Sequence, residues 1–202
     1  MEKRFIDEEE HMLDGFRLGC QIFDSGFRPT FIVGLWRGGS AVGIVVQECL
    51  ATLGVETDHI ALRTSYGGRE EYERTYRNRD GIRVHGKQYL LENMNHDDRL
   101  LIVDDVYSSG RHTDAVIESL HTRLKRNMPE DVRVATIWVR NPLQGPAEDR
   151  AYPEFYVQET SDWLVLPWEL AGLTRAEIDT HKPFLTPHLD RCPPPDASGA
   201  GS

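Results

Sequence analysis

No apolar run in the sequence approaches the roughly 18 residues that a membrane-crossing helix needs, so no membrane span is expected. The opening residues, MEKRFIDEEEHMLDGF, place charge where a secretory signal has its apolar core, and suit a helix instead. Cysteine is scarce. Cys20, Cys49 and Cys192 are odd in number, far apart in the chain, and form no CxxC pair and no metal-spaced set. Reduced thiols in a cytoplasmic protein are the expectation. Basic residues are outnumbered: 23 Lys and Arg stand against 33 Asp and Glu, a formal net charge of −10. Broad nucleic-acid binding is driven by clustered Lys and Arg, so it is not expected. A small phosphorylated ligand stays open, because backbone amides and one helix N-terminus hold phosphate locally. There are no internal repeats.

What is present suits a soluble globular domain. The chain has 202 residues, 39% hydrophobic and 28% charged, enough for one domain with a real core. Residues 1–186 are read as that domain, and the Pro/Gly/Ser-rich residues 187–202 as a disordered tail. The apolar spacing predicts a helix over Ile6–Phe23, with Asp7 as N-cap, Glu10 completing a capping box, and Gly26 as the stop. Short β-branched or apolar runs predict strands at Phe31–Trp36, Glu56–Arg63, Leu100–Val103, Val132–Val139 and Glu154–Gln158. Helices are predicted over Ala41–Gly54 and Arg111–Arg126. Thr64–Gly86, polar and without sustained apolar period, reads as a long exposed loop with a short hairpin in it. Strands alternating with helices give an α/β domain with a mainly parallel sheet. Ligands of such sheets sit beyond the carboxyl ends of the strands. The turns RGGS, TSYGG and DDVYSSG all follow strands and would gather there.

The segment Leu100–Thr113, LLIVDDVYSSGRHT, carries the most chemistry. A buried strand delivers two adjacent carboxylates, Asp104 and Asp105. A turn of small hydroxyl residues and glycine follows, and then a helix starts. That turn and helix N-terminus form an anion site, in which Ser108 and Ser109 add donors and Gly110 lets backbone approach closely. Carboxylates there repel phosphate but suit a diol or a magnesium ion. A ligand carrying both phosphate and ribose hydroxyls satisfies both halves. The same residues also suit a plain strand-end turn and helix cap.

The segment resembles the PRPP-binding motif of the type I phosphoribosyltransferases, PRPP being diphosphate-activated 5-phosphoribose. The resemblance implies an α/β fold with a mainly parallel sheet flanked by helices and a small hood from the N- and C-terminal segments. It implies that Asp104 and Asp105 hold the ribose hydroxyls, and that Ser108, Ser109, Gly110, Arg111 and His112 wrap the 5-phosphate. GLWRGGS, Gly34–Ser40, is similar to the family's pyrophosphate loop, with Arg37 on the diphosphate and Gly38 and Gly39 giving backbone access. TSYGGREEYER, Thr64–Arg74, falls where the family has its mobile catalytic loop. Ser65–Tyr66 matches the purine members, and Arg69 or Arg74 is a diphosphate candidate. WVRNP ends a strand with Arg140 near where members resembling xanthine-guanine phosphoribosyltransferase read the base. SDWLVLPWEL resembles the same subgroup's hood: Trp163 would stack on the base, the Leu164 backbone would bond its edge, and Glu169 would face the magnesium-diphosphate. The implied cofactor is Mg²⁺, with Asp104, Asp105 and Glu169 as its residues. The implied partners are PRPP and a nucleobase, in a homo-oligomer.

Two positions depart from the family pattern. Purine members carry an acid as third residue after the acidic pair; here it is Ser108, a poor base near neutral pH. His112 stands where a small Ser or Thr binds phosphate; its ring would donate, or Thr113 would take over. Three readings follow. One is a 6-oxopurine phosphoribosyltransferase using Arg37, Tyr66, Asp105 and Ser108 in catalysis. Another is the same chemistry on a different heterocycle. The last is a PRPP- or nucleotide-sensing protein without turnover.

Overall fold

The computed structural model describes residues 3–66, 82–141 and 152–189. Its centre is a six-stranded sheet built from β2 (Phe31–Trp36), β3 (Asp58–Tyr66), β4 (Ile82–His85), β5 (Arg99–Tyr107), β6 (Asp131–Arg140) and β7 (Phe155–Thr160). The strand order is β4-β3-β2-β5-β6-β7. Every pairing is parallel except the β3–β4 edge, where Arg63 faces His85 and Tyr66 faces Ile82 in an antiparallel ladder. The expected α/β class and mainly parallel sheet are present.

Strand alternation sends successive side chains to opposite faces, so each apolar strand feeds two cores. Ile32, Leu101, Val103 and Ile137 pack under α1 (Glu8–Asp24) and α2 (Gly38–Thr52), against Leu18, Ile22, Val42, Val46 and Leu50. Phe31, Val33, Leu35, Leu100 and Ile102 face α3 (Gln88–Asn93) and α4 (Arg111–Leu124), against Leu90, Val116, Leu120 and Leu124. Burying each such side chain is worth about 1.5–3 kcal/mol. β2 and β5 are therefore fixed in register from both sides.

A second, two-stranded parallel sheet pairs β1 (Lys3–Phe5) with β8 (Trp163–Val165). It is the small hood that the resemblance implied. α5 (Arg175–His181) closes over it: Phe5 stacks on His181 with ring centroids 3.7 Å apart, and Lys3 pairs with Glu177 at 2.7 Å. Thr174 and Glu177 form a reciprocal capping box at the start of α5.

Several boundaries differ from the sequence expectation. α2 begins at Gly38, three residues earlier than expected, so the glycines of RGGS lie in its first turn. β5 runs on to Tyr107, so Asp104 and Asp105 lie in the strand and not in the turn after it. Pairing with β6 as far as Tyr107–Val139 carries the extension. The strand expected at Glu56–Arg63 starts at Asp58 and reaches Tyr66, because the hairpin with β4 prolongs it. Most of the expected loop, 67–81, lies outside the described residues. Asp7 does cap α1, accepting from the Glu10 amide at 2.7 Å. The Glu10 side chain, however, accepts from the Arg4 guanidinium, which draws it toward the hood. A short helix, α6 (Thr186–Leu189), crosses the boundary expected at 187, and 190–202 lie outside the described residues.

Candidate functional site

A cavity of about 290 Å³ opens at the carboxyl edge of the sheet, lined by β2–α2, β3, β5, α4 and the hood. Arg37, Gly38, Asp104, Asp105, His112 and Glu169 all line it. Residues from four separate stretches of sequence thus converge where a parallel sheet places its ligands.

The two glycines explain how α2 comes so close to β5. A Cβ on Gly38 would stand 1.8 Å from Asp105 Oδ2, and one on Gly39 would stand 2.4 Å from the Val103 carbonyl. Only hydrogen fits at either position. The first turn of α2 is thereby pressed against the acidic pair. The Trp36–Arg37 peptide is cis, and α2 starts with no side-chain cap.

Asp105 takes the parity of Leu101 and Val103 and so lies on the α1–α2 side of β5. Its carbonyl accepts from the buried Thr136 hydroxyl at 2.9 Å. Asp104 sits half-buried beside it, and its carboxylate accepts from the Asp105 amide at 3.0 Å. Desolvation, and then the neighbouring Asp105 carboxylate, push the Asp104 carboxyl well above its usual range. A pair held in this way favours a ligand that brings hydroxyl donors or positive charge.

After Tyr107 the chain turns through Ser108 and Ser109 to Gly110, at φ +71°. A Cβ on Gly110 would meet the Tyr107 hydroxyl at 2.3 Å, so the turn needs glycine twice over. α4 then begins without a side-chain cap. His112 lines the cavity and is held at one nitrogen of its ring. Its Nδ1 lies 2.8 Å from the Thr64 hydroxyl on β3, and burial lowers its pKa. Thr113, the expected substitute, is 1% exposed and does not line the cavity.

On the hood side, Glu169 is held by a tight turn: Leu166 donates its amide to Glu169 Oε2 at 3.0 Å. Its other oxygen faces Arg37 at 3.9 Å. The residues expected at the diphosphate and at the magnesium thus meet across the cavity. Arg140 and Trp163 also meet, although neither lines the cavity itself. The guanidinium lies 5.8 Å from the indole centroid, and Arg140 donates to the Asp162 carbonyl at 3.2 Å. Trp163 is 56% exposed, a large aromatic face left to solvent. Leu164 is buried and pairs with Arg4 across the hood sheet. Ser65 and Tyr66 pair with Arg83 and Ile82 in the β3–β4 ladder. Arg69 and Arg74 lie outside the described residues.

Two supporting residues, His11 and Lys182, had no sequence signal, and a third, Thr64, was marked only as the start of the expected mobile loop. His11 of α1 is 6% exposed and packs edge-on to Trp168, with ring centroids 4.8 Å apart. Burial lowers its pKa against the opposing pull of Asp105 and Asp14. Thr64 holds His112. Lys182 is buried, and its ammonium donates to the carbonyls of Leu166 and Pro167 at 3.1 and 2.6 Å, fixing the turn that carries Trp168 and Glu169. Nothing in the local sequence sets His11 or Lys182 apart, because both gain their roles from partners on other elements.

Solved structures of known proteins share this architecture. A purine phosphoribosyltransferase from Pyrococcus horikoshii aligns at 20% identity and TM-score 0.61, over 87% of this chain and 99% of that one. A xanthine-guanine-hypoxanthine phosphoribosyltransferase from Helicobacter pylori aligns at 12% identity and TM-score 0.61, over 84% and 95%. A protein from Neisseria gonorrhoeae with bound ppGpp aligns at 16% identity and TM-score 0.63, over 93% and 97%. No protein-family model matches the chain, and no curated protein matches it. The fold is that of the purine phosphoribosyltransferases.

Proposed function

We propose that the protein, with this phosphoribosyltransferase fold as its frame, transfers the 5-phosphoribosyl group of PRPP to a nucleobase and releases diphosphate. The base we assign is a 6-oxopurine, hypoxanthine or guanine. One observation carries the reading. The acidic pair at the end of β5 shares a cavity with Arg37, Gly38 and Glu169, and a serine-glycine turn into an uncapped helix follows it directly.

Each part has a task in this scheme. Asp104 and Asp105 accept the ribose 2- and 3-hydroxyls, a role that suits half-buried carboxylates better than facing phosphate does. The turn Ser108–Gly110, with the first amides of α4, takes the 5-phosphate. Arg37 and the Gly38–Gly39 backbone take the diphosphate. Trp163 stacks on the base beside Arg140, whose cation reads an oxo group. Ser65, Tyr66 and Arg69 belong to the segment that would exclude water from a reactive ribosyl centre. Ser108 donates a hydrogen bond near the base nitrogen but is a weak base, so purine turnover is slowed where general acid–base catalysis is worth about 10²–10⁴-fold.

Among the described residues no group of three or more His, Cys, Asp or Glu forms a ready-made metal cage. Asp104, Asp105 and Glu169 nevertheless fit magnesium arriving with its substrate, because Mg²⁺ is held by one or two carboxylates plus phosphate oxygens. When bound, the ion neutralises negative charge on the diphosphate leaving group. A cytoplasmic setting and a homo-oligomer complete the reading.

Two alternatives have specific support. Ser108 favours an acceptor heterocycle whose nitrogen needs no carboxylate base. His112 engaged by Thr64, and the similarity to a protein holding ppGpp, favour nucleotide binding without turnover. A base panel separates them. The protein is incubated with Mg²⁺-PRPP and hypoxanthine, guanine, xanthine, adenine, uracil and other heterocycles, and diphosphate release is followed. Release with hypoxanthine or guanine is expected. Release only with non-purines supports the second reading. PRPP or ppGpp binding with no release for any base supports the third.

A further inference from the structure

Helix α1 crosses α2 on glycines. A Cβ on Gly15 would lie 2.7 Å from Val45, and one on Gly19 would lie 2.7 Å from Cys49 Sγ. No larger residue fits there without displacing α2, so the two backbones run close together. This closeness brings together two thiols that are 29 positions apart: Cys20 Sγ and Cys49 Sγ stand 3.8 Å from each other. Both are free thiols, Cys20 exposed on α1 and Cys49 only 2% exposed on α2. Cys49 Sγ also lies 3.5 Å from the Phe16 carbonyl, so its direction is set by α1.

We propose that Cys20 and Cys49 are an oxidisable dithiol, closed to an intramolecular disulfide by a small disulfide oxidant of the glutathione type. The inference is independent of the reaction assigned above. The exposed Cys20 thiolate attacks one sulfur of glutathione disulfide and expels one glutathione thiolate, leaving a mixed disulfide on α1. Cys49, as thiolate, attacks the Cys20 sulfur and expels the second glutathione. Two protein thiols are oxidised, and one glutathione disulfide is reduced to two thiols. The two protons pass to solvent or to the leaving thiolates.

The asymmetry of the pair sets the order of events. An exposed thiol meets the oxidant, and a buried neighbour resolves it. Burial first, and then the Cys20 thiol, push the Cys49 thiol up to about 11. Closure is therefore the slower step, and its rate rises about tenfold per pH unit around pH 7–9, following the thiolate fraction. The link staples two helices that both serve the cavity: α1 carries His11 behind Trp168, and α2 carries Arg37 to Gly39 at its start.

The test uses the full chain carrying Cys192→Ser, so that only the pair remains. The protein is treated with oxidised glutathione and followed by intact mass, thiol titration and non-reducing peptide mapping. Expected are a transient glutathione adduct on Cys20, then loss of the adduct and of both titratable thiols. A Cys20–Cys49 linked peptide and reversal by a dithiol reductant complete the expected result. The oxidised form should melt about 5–10 °C higher, as expected for a disulfide closing a loop of this size. Cys20→Ser, at an exposed position, should give neither adduct nor link, and Cys49→Ala should arrest at the Cys20 adduct. A stable Cys20 adduct with Cys49 still titrating, unreacted thiols, or linkage only between chains would each overturn the proposal.

Discussion

Helix α1 begins differently from α2 and α4. Asp7 closes the first turn of α1 with its own side chain, whereas Arg37 before α2 and Gly110 before α4 give no side-chain cap. The first amides of any helix need partners from outside its own ladder. The helix that supports the hood takes its partner from the chain. The two helices that rise from the carboxyl edge of the sheet leave their first turns facing the cavity region, beside a pair of carboxylates. The scaffold helix is closed by its own chain, whereas the starts of α2 and α4 carry no side-chain cap and lie beside cavity-lining residues. The glycines carry the same contrast. Gly26, after α1, has φ +82°, and a Cβ placed on it would meet nothing within 4 Å, so it serves the turn alone. Gly38 is packed against Asp105 so tightly that it serves the site.

This contrast is open to direct attack. The largest effect is expected at the acids between the two uncapped helices. Asp105→Asn should lower turnover by about 10²–10³-fold in a diphosphate-release assay, the usual loss for one preorganised electrostatic group. Unchanged turnover would remove Asp105 from the mechanism. Next, Gly38→Ala drives a methyl group into the Asp105 carboxylate. It should weaken PRPP binding at least tenfold by calorimetry and cost about 1–3 kcal/mol of stability, as overpacking does. Gly26→Ala is its control: about 1 kcal/mol from the backbone, with PRPP affinity unchanged. Equal effects on binding at the two glycines would erase the distinction between scaffold and site. Smaller still, Asp7→Ala removes the scaffold cap. About 1 kcal/mol should be lost in urea denaturation while kcat stays at the wild-type value.

The smallest expected effect is on the pH dependence of folding. His11 and His112 have pKa values lowered by burial, so the native state holds them neutral. A lowered histidine pKa gives stability that is complete above the unfolded value of about 6.5 and is lost as pH falls through the folded value. Melting temperature should fall below about pH 6.5, and His11→Gln should flatten part of that slope. A slope unchanged by that substitution would assign the acid sensitivity elsewhere.

Much of the fold and the site was legible in sequence, for local reasons. Phe31–Trp36 is an unbroken apolar run, and a strand buried on both faces needs nothing else to be read. Asp7 announced a helix start by residue type alone. LLIVDDVYSSG joined a strand, two acids and a glycine turn in consecutive residues, so its standing as a candidate site needed no folding to be seen. Sequence and structure part where a distant partner decides. β5 continues through its acids because β6 pairs with it to Tyr107, and α2 starts early because Gly38 and Gly39 must slide under β5. β1 is three residues long and exists only through β8, which comes from the opposite end of the chain.

The sequence by itself determined the alternation of strands and helices, the acidic pair, the glycine turn after it, and the absence of a membrane-length apolar run. Each of these depends on residues close to one another along the chain. Only the tertiary structure decided that His112 meets Thr64, that Glu169 faces Arg37, that Lys182 holds the Leu166 and Pro167 carbonyls, and that Cys20 lies against Cys49. Those partners are remote in sequence, and the packing of whole elements sets their distances. No local pattern encodes that packing, because two side chains meet only when the helices and strands carrying them have found their places on the sheet.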